Sequence, residues 1–212
     1  MTEIGSDDLV RFLQLYAQRI AEHKVELTDL DSQIGDADHG INMDRGFTAV
    51  SAKLPDLRES DLGTIAKTVG MTLISTVGGA SGPLYGTFFL RMAGSLGDHR
   101  SVPPGELVAA VRAGLEGVKQ RGKAVLDDKT MVDAMTPAVE ALETGDVAGD
   151  LPGSLAAAAA AAAAGRDRIT PLVARKGRAS YLGERSANHQ DPGATSTTIL
   201  FEALRDAMTP TG

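Results

Sequence analysis

The segment Asp31-Ser-Gln-Ile-Gly35-Asp36-Ala-Asp38-His39-Gly40 places three carboxylates within eight residues, with two glycines beside them. Carboxylates that converge in one turn repel each other unless a cation joins them, and an all-oxygen donor set suits a hard ion such as Mg²⁺. Gly35 and Gly40 allow the backbone to fold tightly around such an ion. The spacing is not that of an EF-hand. Counted from Asp36, the place that demands glycine holds Ile41, and the place of the closing glutamate holds Phe47. Asp38 has a second reading, as the cap of a helix beginning near Ile41. The three aspartates taken with both glycines favour the metal, so Asp31, Asp36 and Asp38 are the expected ligands.

Two further segments carry groups suited to phosphate. Gly78-Gly-Ala80-Ser81-Gly82-Pro83-Leu-Tyr-Gly86 follows one apolar run and opens another. Ser81 is the expected cap there, Pro83 suits a first helical turn, and the free N–H groups of a helix start attract anions. Tight packing of helices explains the same glycines equally well. The glycine spacing is not that of a dinucleotide fold. Gly117–Ala124 approaches a Walker A pattern but lacks the Ser or Thr that would bind Mg²⁺. The third segment, Arg175-Lys-Gly-Arg178 through Arg185, is locally basic. Arginine suits fork-like contact with phosphate, although a solvated charged face is the alternative for Arg175, Lys176 and Arg185. Asp191-Pro192-Gly193 reads as the cap and first turn of a final helix.

The elements that must position these segments are helical by spacing. Leu9, Phe12, Leu13, Tyr16 and Ile20 form one stripe behind a cap at Ser6, and Met43, Phe47, Val50 and Leu54 form a second. Leu62, Ile65, Val69 and Leu73 follow a cap at Ser60. Further helices are expected over 82–97, 104–122, around 132–142, from about Ser154 through the alanine tract, and over 199–208. No alternating strand pattern stands out. Eight helices without a linker or internal repeat predict one all-α bundle over residues 1–212. The three segments that join helices with chemistry rather than with turn residues, 31–42, 77–87 and 175–193, are where function is expected.

Composition sets the outer limits. The chain has 212 residues, 42% of them hydrophobic and 23% charged, with a net charge of −7. That balance predicts a water-soluble protein and disfavours non-specific binding to nucleic acid or an acidic membrane. There is no cysteine, which rules out a thiol nucleophile, a thiolate zinc site and disulfides. The acidic first ten residues show no apolar leader and no run is long enough to span a bilayer, so a cytoplasmic location is expected.

Taken together, DSQIGDADHGINMDRGF, GGASGPLYGTFF, DDKTMVDAM and ARKGRASYLGERSANHQDPGATS resemble one family. It is that of the L subunit of bacterial dihydroxyacetone kinase and of the matching C-terminal domain of ATP-dependent dihydroxyacetone kinases. The resemblance implies a closed up-and-down barrel of eight antiparallel amphipathic helices, with the nucleotide and Mg²⁺ in loops at one end. It implies two Mg²⁺ ions on Asp31, Asp36 and Asp38. It implies ADP or ATP held by His39, Gly40, Ile41, Asn42, Ala80, Ser81, Gly122, Met131, Arg178, Asp191, Pro192 and Gly193. Without the family, Met131 reads as a core methionine, Gly122 as a glycine just past a helix end and His39 as a turn residue. His23, His99 and His189 receive no role. The implied activity is phosphoryl transfer to dihydroxyacetone held on a separate K subunit, which supplies the acceptor site that this chain lacks, so no catalytic nucleophile is assigned here. The donor is ATP, or ADP recharged in place by a phosphohistidine M subunit of the phosphotransferase system. The same segments would serve a kinase for another small ketose such as erythrulose, or a nucleotide-dependent regulatory module, and a homodimer is compatible with all of these.

Overall fold

The computed structural model describes residues 3–209. Among them, ten α-helices run α1 (Ser6–Glu22), α2 (Lys24–Ile34), α3 (His39–Ser51), α4 (Leu54–Leu57), α5 (Leu62–Thr76), α6 (Ser81–Leu96), α7 (Pro104–Gly122), α8 (Met131–Ala148), α9 (Leu151–Ile169) and α10 (Pro192–Met208). Each of the eight expected segments is helical. The additions are α2, the single turn of α4, a 3-10 stretch over Arg178–Ser186, and an antiparallel ribbon pairing β1 (Ile4–Gly5) with β2 (Ser101–Val102). No helix among the described residues is long and apolar enough to cross a membrane.

Helix starts move by a residue or more from their expected places. Gly5, not Ser6, precedes α1, and its N–H donates to the Asp8 carboxylate at 3.0 Å. Asp61 rather than Ser60 caps α5 by accepting from the Thr64 N–H at 2.6 Å. Asp150 caps α9 ahead of Ser154. At the end of α7 the left-handed residue is Lys123 (φ 50°), so Gly122 closes the helix instead of standing past it.

One apolar core draws on α1, α3 and α5 to α10. Tyr16, Phe47, Tyr85 and Phe89 are fully buried within it. Tyr16 meets Phe47 edge-on, with ring centroids 4.6 Å apart, and each such ring contributes about 1.5–3 kcal/mol through burial. Around the core, α1 packs on α3, α3 on α5, α5 on α6, α6 on α7, α7 on α8, α8 on α9, α9 on α10, and α10 again on α1. Where backbones come closest, glycine is required by space. A Cβ at Gly165 of α9 would stand 2.2 Å from the Asp133 carbonyl of α8. That carbonyl has no helical donor, because Pro137 occupies the place four residues on.

Candidate functional site

The acidic segment is less of a loop than its composition suggests. Asp31 lies on the last turn of α2, and only residues 35–38 separate α2 from α3. The Asp31 carboxylate is buried and accepts from the backbone N–H groups of Asp38 (2.8 Å) and His39 (3.1 Å). Room for it exists only because residue 35 is glycine: a Cβ there would fall 2.0 Å from Asp31 Oδ1. Ala37 adopts φ 60°, a conformation unfavourable to a residue with a side chain, at the tightest point of the turn. The outcome is that one carboxylate oxygen from each of Asp31, Asp36 and Asp38 lies within 4.8 Å of the others. Three hard donors at that separation fit a small divalent cation. Arg178 approaches the same cluster, 3.0 Å from Asp36.

The glycine segment divides between its two readings. Gly82 and Gly86 serve packing, since a Cβ would meet Val77 O at 2.3 Å or Ile74 Cγ1 at 2.4 Å. Gly79 has φ 64° and open space where a side chain would be, so it turns the chain at the cavity wall. Ala80, not Ser81, precedes α6, and no side chain caps the first-turn N–H groups. The Ser81 hydroxyl is turned instead toward His39 Nδ1, at 3.0 Å.

His39 is not a turn residue but the buried first residue of α3. Its Nε2 lies 2.9 Å from Ser196 Oγ. Ser196 donates to the Gly193 carbonyl (3.1 Å), so it accepts from the imidazole; His39 carries its proton on Nε2 and accepts from Ser81 on Nδ1. Tyr85 completes the set, 2.8 Å from Ser196 Oγ and 3.1 Å from Thr197 Oγ1. Burial lowers the imidazole to about 4 against the opposing pull of Asp31 and Asp38, which keeps it neutral, as this chain of bonds requires. The acidic turn, the glycine turn and the start of α10 are thereby tied at one ring.

Asp191 caps α10 as expected, accepting from the Ala194 N–H at 2.7 Å. Burial raises its carboxyl to about 7, and water entering the cavity works against that rise, because the residue is only partly covered. Met131, Leu84, Val118 and Val132 add apolar side chains to the cavity lining beside Gly122.

These parts enclose one cavity of about 490 Å³. It is lined by Asp31, Asp36, Asp38, His39, Ala80, Ser81, Gly122, Met131, Arg178, Asp191, Pro192 and Gly193 among the expected residues. Gly40, Ile41 and Asn42 stand outside it. Gly40 gives α3 room against α2, where a Cβ would lie 2.1 Å from Lys24 O; Ile41 is largely exposed; Asn42 is buried behind the glycine turn and accepts from Arg45 at 2.7 Å. Residues not anticipated also line the cavity, notably Arg121, Lys129, Thr130 and the exposed Tyr181. Thr130 was detectable, since Thr130 and Asp133 form a capping box ahead of an apolar run. Four helices, α3, α6, α8 and α10, present their N-terminal residues to the space. Their dipoles favour anions beside a carboxylate cluster that favours cations. A cation–polyphosphate complex meets both demands.

Comparison with known proteins agrees. The DAK2 domain model matches residues 33–206. The ADP-binding subunit DhaL of the PEP-dependent dihydroxyacetone kinase of Escherichia coli (strain K12) is 50% identical over 179 residues, 84% of this chain and 85% of that protein. The ADP-binding subunit DhaL of PEP-dependent dihydroxyacetone kinase 1 of Listeria innocua is 43% identical over 198 residues, 93% of this chain and 94% of that one. The crystal structure of the dihydroxyacetone kinase from C. freundii in complex with AMP-PNP and Mg²⁺ superposes with a TM-score of 0.73 at 27% identity, covering 93% of this chain and 33% of that one. The chain is a member of the DAK2 domain family, related over most of its length to the ADP-binding subunits of dihydroxyacetone kinases.

Proposed function

We propose that this chain is the nucleotide-binding subunit of a PEP-dependent dihydroxyacetone kinase. It would keep ADP in place, receive a phosphoryl group from a phosphohistidine M subunit, and pass it to dihydroxyacetone on a K subunit in the cytoplasm. The carrying observation is one cavity lined both by the carboxylate trio and by the N-terminal residues of α3, α6, α8 and α10. The PEP-dependent donor is preferred because the near-full-length relatives carry that name.

Asp31, Asp36 and Asp38 would hold two Mg²⁺ ions, which would neutralise charge on the β- and γ-phosphates. The chain's own residues do the rest. The uncapped start of α6 and the first turn of α10 orient phosphate oxygens, Arg178 adds a movable positive charge, and the wall at Gly122 and Met131 takes the base. His39, Ala80, Ser81 and Asp191 to Gly193 keep these walls in register, and Gly40 to Asn42 support them from behind. The eight long helices, α1, α3 and α5 to α10, close into a barrel in this proposal, supported by the unbroken circuit of neighbours from α1 back to α1. With all three aspartates present, a purely regulatory module lacks the feature that would mark it out.

The test is triose phosphate formation with this chain alone, with a cognate K subunit alone, and with both mixed beside the phosphotransferase components. Turnover is expected only in the mixture, because in-line transfer needs the acceptor held against the phosphate. Robust turnover by this chain alone overturns the proposal.

A further inference from the structure

Lys129 stands just before α8 and is 1% exposed. Its ammonium donates to three backbone carbonyls: Thr170 at 2.8 Å, Leu172 at 2.8 Å and Ser186 at 2.6 Å. An ammonium has three protons, so every donor is used, and none of these partners is a carboxylate. Burying a charge on neutral acceptors is expensive, and a hydrocarbon side chain would fill the space without that penalty. The value of Lys129 therefore lies in what it joins.

Thr170 and Leu172 lie in the turn that follows α9; Ser186 ends the 3-10 stretch. Between them runs the segment that carries Arg178. Its base is already closed by Ser186, whose hydroxyl accepts from the Ala174 N–H (2.9 Å) and donates to the Gly183 carbonyl (2.6 Å). The turn before α8 grips it a second time, with the Asp128 carbonyl accepting from the Arg175 N–H at 3.0 Å. That turn is held in an unfavourable shape, with left-handed Asp127 (φ 69°) and Lys129 (φ 64°).

We propose that Lys129 is a positioning residue: its buried ammonium clasps the base of the Arg178 segment to the start of α8, fixing the cavity wall that carries Arg178 against the wall that carries Met131. The benefit to nucleotide binding rests on the function proposed above; the clasp itself does not.

Lys129→Met keeps the length and removes the donors. In limited trypsin digestion of the metal-free protein, cleavage after Arg175, Lys176 or Arg178, read by mass, is expected to be at least about tenfold faster than in the parent, through local opening. Lys67→Met, an exposed control on α5, leaves the rate unchanged. In calorimetric titration with Mg·ADP, Arg178→Ala is expected to weaken binding less in the Lys129→Met background than alone, because a loosened segment no longer presents the guanidinium. A parent-like cleavage rate, or additive losses, overturns the clasp. If Lys129→Met does not fold, Lys129→Gln decides: it keeps a polar donor at the same place but cannot serve the three carbonyls of Thr170, Leu172 and Ser186, so it is expected to speed the same cuts, and unchanged cleavage refutes the assignment. Failure of the parent protein to bind Mg·ADP overturns the nucleotide reading alone, since faster cleavage still supports the clasp.

Discussion

A guanidinium nitrogen of Arg178 lies 3.0 Å from the carboxylate of Asp36, joining the basic segment to the acidic turn. The arginine is mostly exposed, so the pair adds little to stability. Its interest is competition, because a carboxylate meant for a cation already has a positive partner.

Arg178→Ala is therefore expected to act in opposite directions on two ligands. Affinity for Mg²⁺ alone should rise a few-fold as Asp36 is released, whereas affinity for Mg·ADP should fall by about tenfold with the lost contact to phosphate. Calorimetry with each ligand separates the two, and a fall in both contradicts a role for the pair in competition.

Asp36→Asn and Gly35→Ala should damage the same site by different routes. The first removes a donor. The second leaves all three carboxylates but drives a Cβ to within 2.0 Å of Asp31 Oδ1. Each is expected to weaken Mg·ADP binding by at least about tenfold, with circular dichroism unchanged. Repulsion is relieved only in Asp36→Asn, so only that variant should melt higher than the parent in a chelator. Full binding by Gly35→Ala would show that Asp31 is not confined as the structure has it.

Mg²⁺ and ADP together should raise the melting temperature by more than the sum of their separate shifts, since each completes the site of the other. A melting series with neither, either and both ligands measures the coupling. Strictly additive shifts argue against a shared cavity.

Asp191 supplies a pH signature in the ligand-free protein. Burial raises its folded carboxyl to about 7 from an ordinary 3.8. Between those values the folded chain holds a proton that the unfolded chain has released. This contribution is therefore full below about pH 4, falls as pH rises to about 7, and then levels off, with a slope of at most about 1.4 kcal/mol per pH unit. Asn caps a helix as well as Asp does, so Asp191→Asn should keep α10 intact and remove that slope. Denaturant titrations of both proteins from pH 4 to 8 give the difference, and parallel curves would place the Asp191 carboxyl in its ordinary range.

The eight long helices were legible because their apolar positions recur at helical spacing, as in Leu9, Phe12, Leu13, Tyr16 and Ile20. α2 escaped because it buries only Leu27, Asp31 and Ile34: three positions form no stripe, and one of them is the carboxylate that looked like a loop residue. β1 and β2 are two residues each, too short to alternate. The aspartates and the glycine turn were legible through local density of one chemistry. The bond between His39 and Ser196 joins residues 157 positions apart, and the Lys129 clasp depends on backbone carbonyls that any residue type presents. Neither leaves a local pattern to read.

The chain has three tyrosines and no tryptophan. Tyr16 and Tyr85 are sealed in the core, while Tyr181 is 87% exposed at the rim of the cavity. Ultraviolet emission from this protein thus comes from two sheltered phenols and one in open water. A dissolved quencher such as iodide reaches only the third. Whatever comes to rest over the rim, whether nucleotide or partner chain, withdraws that phenol from the quencher, so fluorescence without any added label becomes a gauge of whether the mouth of the cavity is covered.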